Sequence, residues 1–289
     1  MHHARSFGCA AVFTLVVNCP LRVAAAVVSI VAAVGAAIVP ATAQNASAPA
    51  VPAASAGPKC SVVPDLARLE RPLTRVAFRV SGGSPLRVVA IGSSSTAGAG
   101  ASSSAGTYPS RLEGELGRQF PGHRITVVNH GANGAEAADM VARFEKDVIA
   151  ENPHLVLWQV GTNALLRDRP LNERSTILQE GLARLKRTRA DVVLVDSQYA
   201  PKVIEKGEAT DATMAYLASV AKKEKIGLFG RYAVMRHWQQ VDGLPFETFV
   251  SPDGLHMNDW SYACFAKWLG FAIAEAATRP TATVAGPAR

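Results

Sequence analysis

The feature that most constrains this 289-residue chain is an alternation of short, almost uniformly apolar runs with longer stretches of helical period. Leu86–Ile91 (LRVVAI), Leu155–Gln159 (LVLWQ) and Val192–Asp196 (VVLVD) are apolar at nearly every position. A strand of that kind needs cover on both faces, which is the situation inside a parallel sheet. Ile125–Asn129 and Ile226–Phe229 read as two further strands. Between them the period changes. Leu112, Leu116 and Phe120 recur every fourth residue and predict a helix over Tyr108–Phe120. Ile177, Leu178, Leu182 and Leu185 give Leu171–Thr188 one apolar side. Further helices are expected at Glu136–Ile149 (stopped by Pro153), Asp211–Lys223, about Tyr232–Gln240 and Trp260–Ala277. Strand–helix alternation predicts an α/β fold, a three-layer α/β/α sandwich around a central parallel five-stranded sheet. Sites in such sheets form at the carboxyl ends of the strands.

The polar residues that break the pattern fall at those ends. The first strand runs into Gly92-Ser93-Ser94-Ser95-Thr96. The second ends in Asn129-His130-Gly131-Ala132-Asn133-Gly134, and the third in Gly161-Thr162-Asn163. Just before the last helix comes Asp253-Gly254-Leu255-His256. Each segment is weak evidence alone; four in order are stronger. A serine hydroxyl is a poor nucleophile until a base accepts its proton. His256 is the natural base for Ser94. Asp253, three residues earlier, reaches the other imidazole nitrogen and fixes its tautomer. The backbone N–H groups of Ser94 and Gly134 and the side-chain amide of Asn163 are candidate oxyanion donors.

These segments resemble the four blocks of the SGNH (GDSL-like) hydrolase family, in that family's order, over about residues 86–275. The resemblance implies a flavodoxin-like sandwich and a serine nucleophile at Ser94, with Asp253 and His256 completing a triad. It places the oxyanion hole at Ser94, Gly134 and Asn163. It further implies hydrolysis of esters or thioesters without metal or cofactor, on substrates that include lipids, acyl thioesters and acetylated carbohydrates. Two positions depart from the pattern: Ser93 and Ala164 stand where the family has aspartate. Neither belongs to the triad or the oxyanion set, so the departures bear on loop rigidity. Gln159, Gln198, Tyr199 and His130 lie near where an acyl or sugar group would sit and are the substrate-pocket candidates. Plain hydrogen bonding to loops is the alternative for Gln159, Gln198 and Tyr199; for His130 it is a place behind the pocket or on the surface.

Rival motifs are incomplete. Gly98-Ala99-Gly100 after a strand lacks the third glycine of a dinucleotide fingerprint, and no acid ends the second strand. Thr96 stands where a nucleophile elbow, Gly-x-Ser-x-Gly, has its second glycine.

The chain ends read differently from the middle. Residues 1–43 resemble an export leader: Arg22 precedes an apolar run from Val23 to Val39, and Ala41-Thr42-Ala43 offers a small-x-small cleavage site. Cleavage and export to the periplasm or the medium is the expectation, and an uncleaved anchor, the one route to a membrane, is the alternative. Residues 44–59 form an Ala/Pro/Ser-rich tether, residues 60–280 the hydrolase domain, and residues 281–289 a flexible tail. Cys9 and Cys19 leave with the leader. Cys60 and Cys264, near the two ends of the domain, either pair in an oxidising compartment or remain as two buried thiols.

With hydrophobic residues at 48% and charged residues at 18%, a sizeable core is available and disorder throughout is excluded. The net charge of +7 is scattered apart from Arg184, Lys186, Arg187 and Arg189. That run reads as a solvated helix face rather than a nucleic-acid site. The expected partner is a small-molecule or glycan ester. Export favours a cell-envelope ester such as an O-acetylated glycan. An acyltransferase acting on a polysaccharide hydroxyl, or a non-catalytic envelope binding protein, are the competing readings. The oligomeric state is not encoded in any of these patterns.

Overall fold

The computed structural model describes residues 58–61 and 64–280. The leader (1–43), most of the tether (44–57) and the tail (281–289) lie outside the described residues. The elements run α1 (Thr74–Ser81), β1 (Leu86–Gly92), α2 (Ser94–Ala97), α3 (Tyr108–Gln119), β2 (Ile125–Gly131), α4 (Ala137–Ala142) and β3 (Leu155–Gln159). They continue with α5 (Thr162–Leu166), α6 (Leu171–Lys186), β4 (Asp191–Val195), α7 (Pro201–Ile204) and α8 (Glu208–Glu224). The last are β5 (Gly227–Phe229), α9 (Arg231–Gln240), α10 (Phe246–Phe249) and α11 (Asp259–Thr278).

The five strands form one parallel sheet in the order β2-β1-β3-β4-β5. The expected three-layer sandwich is therefore present. Alternate residues of each strand feed the two faces. Val88, Ala90, Leu157 and Val193 meet a layer that includes α3 and α11. Val89, Ile91, Trp158 and Leu194 meet the layer of α4, α6 and α8. The chain moves from β1 outward to β2, then crosses back to place β3 on the other side of β1. The reversal leaves a crevice above the ends of β1 and β3, the place where open α/β sheets bind ligands.

Two local features differ from the sequence reading. The helix expected over Glu136–Ile149 stops at Ala142 and resumes as a π turn, Glu145–Ile149. At the break, the Arg143 guanidinium reaches back to His130 O at 2.9 Å and forward to Asp147. Phe144 meanwhile packs edge-on against Trp158, with centroids 5.0 Å apart. Helix α1 has no local cap; the Asp191 carboxylate on β4 accepts from the N–H groups of Arg75 and Val76, both at 2.9 Å. The basic run on α6 is a solvated face, as read: Arg184 pairs with Glu180 and Lys186 with Glu224.

Cys60 and Cys264 are joined by a disulfide, with Cα atoms 5.5 Å apart. It fastens the entry of the domain to its last helix. Among the described residues, no helix is long and apolar enough to cross a membrane, and no cluster of three or more His, Cys, Asp or Glu side chains is arranged to hold a metal ion.

Candidate active site

Ser94 opens α2 directly above β1. Its neighbours are anchored from several directions. Gln159, the last residue of β3, accepts through Oε1 from Ser93 N and Ser93 Oγ, both at 2.8 Å, and from Thr96 Oγ1 at 3.3 Å. Asn129 Nδ2 on β2 donates to Thr96 O at 2.9 Å. Ser93, Ser95 and Thr96 are at most 3% exposed. Gly131 lies so close beneath α2 that a Cβ there would collide with the backbone of Thr96 and Ala97. Ser93 thus gives up the family's carboxylate, and the Gln159 amide oxygen gathers the loop instead.

The opposite wall is the turn before α11. Asp253 Oδ1 accepts from the N–H groups of Leu255 and His256, both at 2.9 Å. Its Oδ2 accepts from His256 Nδ1. Burial by itself would raise the Asp253 carboxyl, but the His256 ring and these two N–H donors hold it below the ordinary carboxylate range. His256 Nε2 stands 2.8 Å from Ser94 Oγ. A serine hydroxyl, an imidazole and a carboxylate are therefore in line.

Residues Gly134 and Asn163 come from the ends of β2 and β3. Gly134 has φ +74°, the left-handed region that favours glycine. Asn163 Nδ2 donates one hydrogen to Ala135 O at 2.9 Å, which ties the two loops together and leaves the second hydrogen to donate elsewhere. The N–H groups of Ser94 and Gly134 have no partner among the described residues.

The four pocket candidates sit elsewhere than expected. Gln198 is 1% exposed. Its Oε1 accepts from Arg231 Nη2 at 2.9 Å and its Nε2 donates to Leu255 O at 3.1 Å, so it holds the histidine turn from beneath. Tyr199 is buried against Tyr232 and Phe246. The His130 ring turns toward Glu151, 3.6 Å away. Gln159 is buried beneath Ser93. Sequence reasoning missed Arg231, a guanidinium with no exposed surface that donates twice to Asp196 O. Nothing local marks an arginine at the start of a helix as buried.

A parallel sheet in this order, with serine, histidine and aspartate in line above its carboxyl edge, defines the SGNH (GDSL-like) class of hydrolases. Residues 59–279 match the model of the Non-GDSL lipase-like family, and the chain belongs to that family. A stretch of 82 residues is 37% identical to an acetylxylan esterase from Geobacillus stearothermophilus. That match covers 27% of this chain and 37% of the relative, so it spans little more than a third of that protein's length. Among solved structures, the chain is similar in fold to a two-domain esterase active on acetylated mannans, with 17% identity and TM-score 0.63 over 76% of this chain and 58% of that one. It is also similar to an acetyl xylan esterase from Geobacillus stearothermophilus, with 21% identity and TM-score 0.57 over 65% of this chain and 94% of that one.

Proposed function

We propose that this chain is an exported serine esterase that removes acyl groups, in particular O-acetyl groups, from polysaccharides. The observation that carries the reading is the 2.8 Å contact between Ser94 Oγ and His256 Nε2, with Asp253 on the far side of the ring. Ser94 Oγ attacks the acyl carbon as its proton passes to His256 Nε2. Asp253 holds the ring in the tautomer that can accept and stabilises the imidazolium that forms. The developing oxyanion takes hydrogen bonds from the N–H groups of Ser94 and Gly134 and from Asn163 Nδ2. Each such donor contributes about 2.7–4 kcal/mol in comparable sites. Collapse breaks the ester bond, and His256 returns its proton to the departing sugar oxygen. Water then attacks the acyl-serine with His256 again as base, which releases the acid and restores Ser94.

Acetylated polysaccharide is favoured because the similar proteins are described as acting on acetylated xylan and mannan. Export is favoured by the apolar run and small-x-small site of residues 23–43. The Cys60–Cys264 bond is consistent with an oxidising compartment.

The test is release of acetate from acetylated xylan and acetylated mannan, with p-nitrophenyl acetate and octanoate as small substrates and Ser94→Ala in parallel. Turnover of acetyl substrates is expected to fall by about 10⁴-fold or more in the variant. Equal activity of the two proteins rules out Ser94 as nucleophile. If both are inactive on every ester, but the wild type moves acetyl groups to a glycan hydroxyl, the protein is a transferase.

A further inference from the structure

Behind the loops that follow β2 and β3 lies a cavity of about 30 Å³. Met140, Leu171, Leu178 and Leu217 give it an apolar wall. Ser94, Gly134 and His256 do not line it, but Ser93 and Asn163 do, so it lies directly behind the candidate active site. Three polar atoms of lining residues are buried with no hydrogen-bond partner among the described residues: Gln159 Nε2, Arg174 Nε and Tyr216 Oη. Buried polar atoms are ordinarily paired, so three left over around one cavity point to an occupant.

The direction of the Gln159 amide is fixed. Its oxygen must face Ser93 N, because a backbone N–H can only donate, and the amide nitrogen is left facing away from Ser93. Arg174 uses Nη1 on Thr213 Oγ1 at 2.9 Å and forms no salt bridge among the described residues. Its partial burial pushes the guanidinium below its ordinary pKa, yet arginine keeps its charge in proteins. The Ser175 hydroxyl beside Tyr216 donates to Asn172 O at 2.7 Å; its oxygen can still accept, but Tyr216 Oη makes no hydrogen bond of full geometry to it. One carboxylate, Glu136, borders the cavity, and its oxygens pair with Arg167 and Arg169.

Two of the three atoms can only donate, the third can donate, and one belongs to a cation without a counter-ion. Their complement is a group that only accepts and carries negative charge. The volume is room for about two waters, too small for a sugar or a phosphate ester. We propose that this cavity is a binding site for a small free monocarboxylate of the acetate class, with the carboxylate on Arg174, Gln159 and Tyr216 and the alkyl end against the leucines. The site borders the proposed esterase site through Asn163, but contains neither Ser94 nor His256.

The test is thermal denaturation and calorimetric titration of the full chain with sodium acetate at constant ionic strength. Acetamide serves as the neutral isostere and chloride as the plain anion. Acetate is expected to bind saturably and raise Tm in the wild type and in Ser94→Ala, while acetamide and chloride do neither. Arg174→Met is expected to abolish binding. Tyr216→Phe, which removes one hydroxyl and keeps the ring, is expected to weaken it by about tenfold, the loss of one hydrogen bond to a charged partner, and it carries the test if Arg174→Met fails to fold. Absence of saturable binding would mean that ordered water fills the cavity, and the proposal falls. Binding unchanged in either variant would move the carboxylate to the oxyanion donors, with the same consequence.

Discussion

The two halves of the candidate site are held in different ways. The serine half is part of the sheet. Ser93, Ser95 and Thr96 are buried, and β2 and β3 both grip the loop through Asn129 and Gln159. The histidine half is a surface turn. The Asp253 side chain is 44% exposed, and the turn is tied down chiefly through backbone: Leu255 O to Gln198, Gly254 O to Lys202 N at 3.2 Å, and His256 O to Ser251 N at 2.7 Å. Ser94 is placed by the core itself. His256 is placed by a relay in which buried Arg231 holds Gln198 and Gln198 holds the turn. Damage to the first half should therefore cost stability as well as activity, and damage to the second activity more than stability.

The sharpest expected effect is at Asp253. Asp253→Asn is expected to lower kcat by about 10⁴-fold by favouring the wrong imidazole tautomer. Tm should barely move, since the side chain is half exposed. A large fall in Tm, measured by calorimetry, would erase the contrast between the halves.

Next comes a matched pair beneath the loops. Gln159→Ala leaves Ser93 N and Thr96 Oγ1 without their acceptor and should destabilise the fold by about 1–3 kcal/mol. Gln198→Ala should lower kcat by roughly tenfold, a loosened base rather than a missing one, with KM nearly unchanged. Urea titration and steady-state kinetics on both variants separate the two roles. Equal stability losses would show that the histidine turn is as deeply built in as the serine loop.

The smallest effect concerns pH. Asp196, beside Arg231, is pushed up to about 7 by burial, against the pull of the Tyr232 N–H and the Arg231 charge. A carboxyl whose folded pKa lies above its unfolded value binds more protons when folded. Its contribution to stability is therefore present at low pH and lost as pH rises from the ordinary carboxylate value of 3.8 toward about 7. Asp196→Asn should flatten the pH dependence of Tm across that window. An unchanged slope would place the carboxyl at an ordinary pKa.

The sheet was legible in the sequence because a strand covered on both faces must be apolar throughout, and Leu86–Ile91, Leu155–Gln159 and Val192–Asp196 could satisfy little else. Ser94, Asp253 and His256 were legible for a related reason. Asp253 and His256 are three residues apart on one turn, and Ser94 follows a strand, so the signals are local. The Gln159 and Gln198 roles were not legible. A polar residue at a strand end reads the same whether it faces substrate or the underside of a loop, and only packing chooses. Helix α1 was missed because its cap, Asp191, lies 116 residues from Arg75.

By itself, then, the sequence determined which segments are strands, the two-faced burial that accompanies a parallel sheet, and a shortlist of candidate catalytic side chains. The tertiary structure alone decided that β3 returns beside β1, that Ser94 and His256 meet across 162 residues, and that Gln159, Arg174 and Tyr216 border one small cavity. The physical reason is the range of the forces that encode each. Hydrophobic period and turn chemistry act over a few residues and leave their mark in order along the chain. Hydrogen bonds between loops depend on the sheet register, which exists only once all five strands have paired.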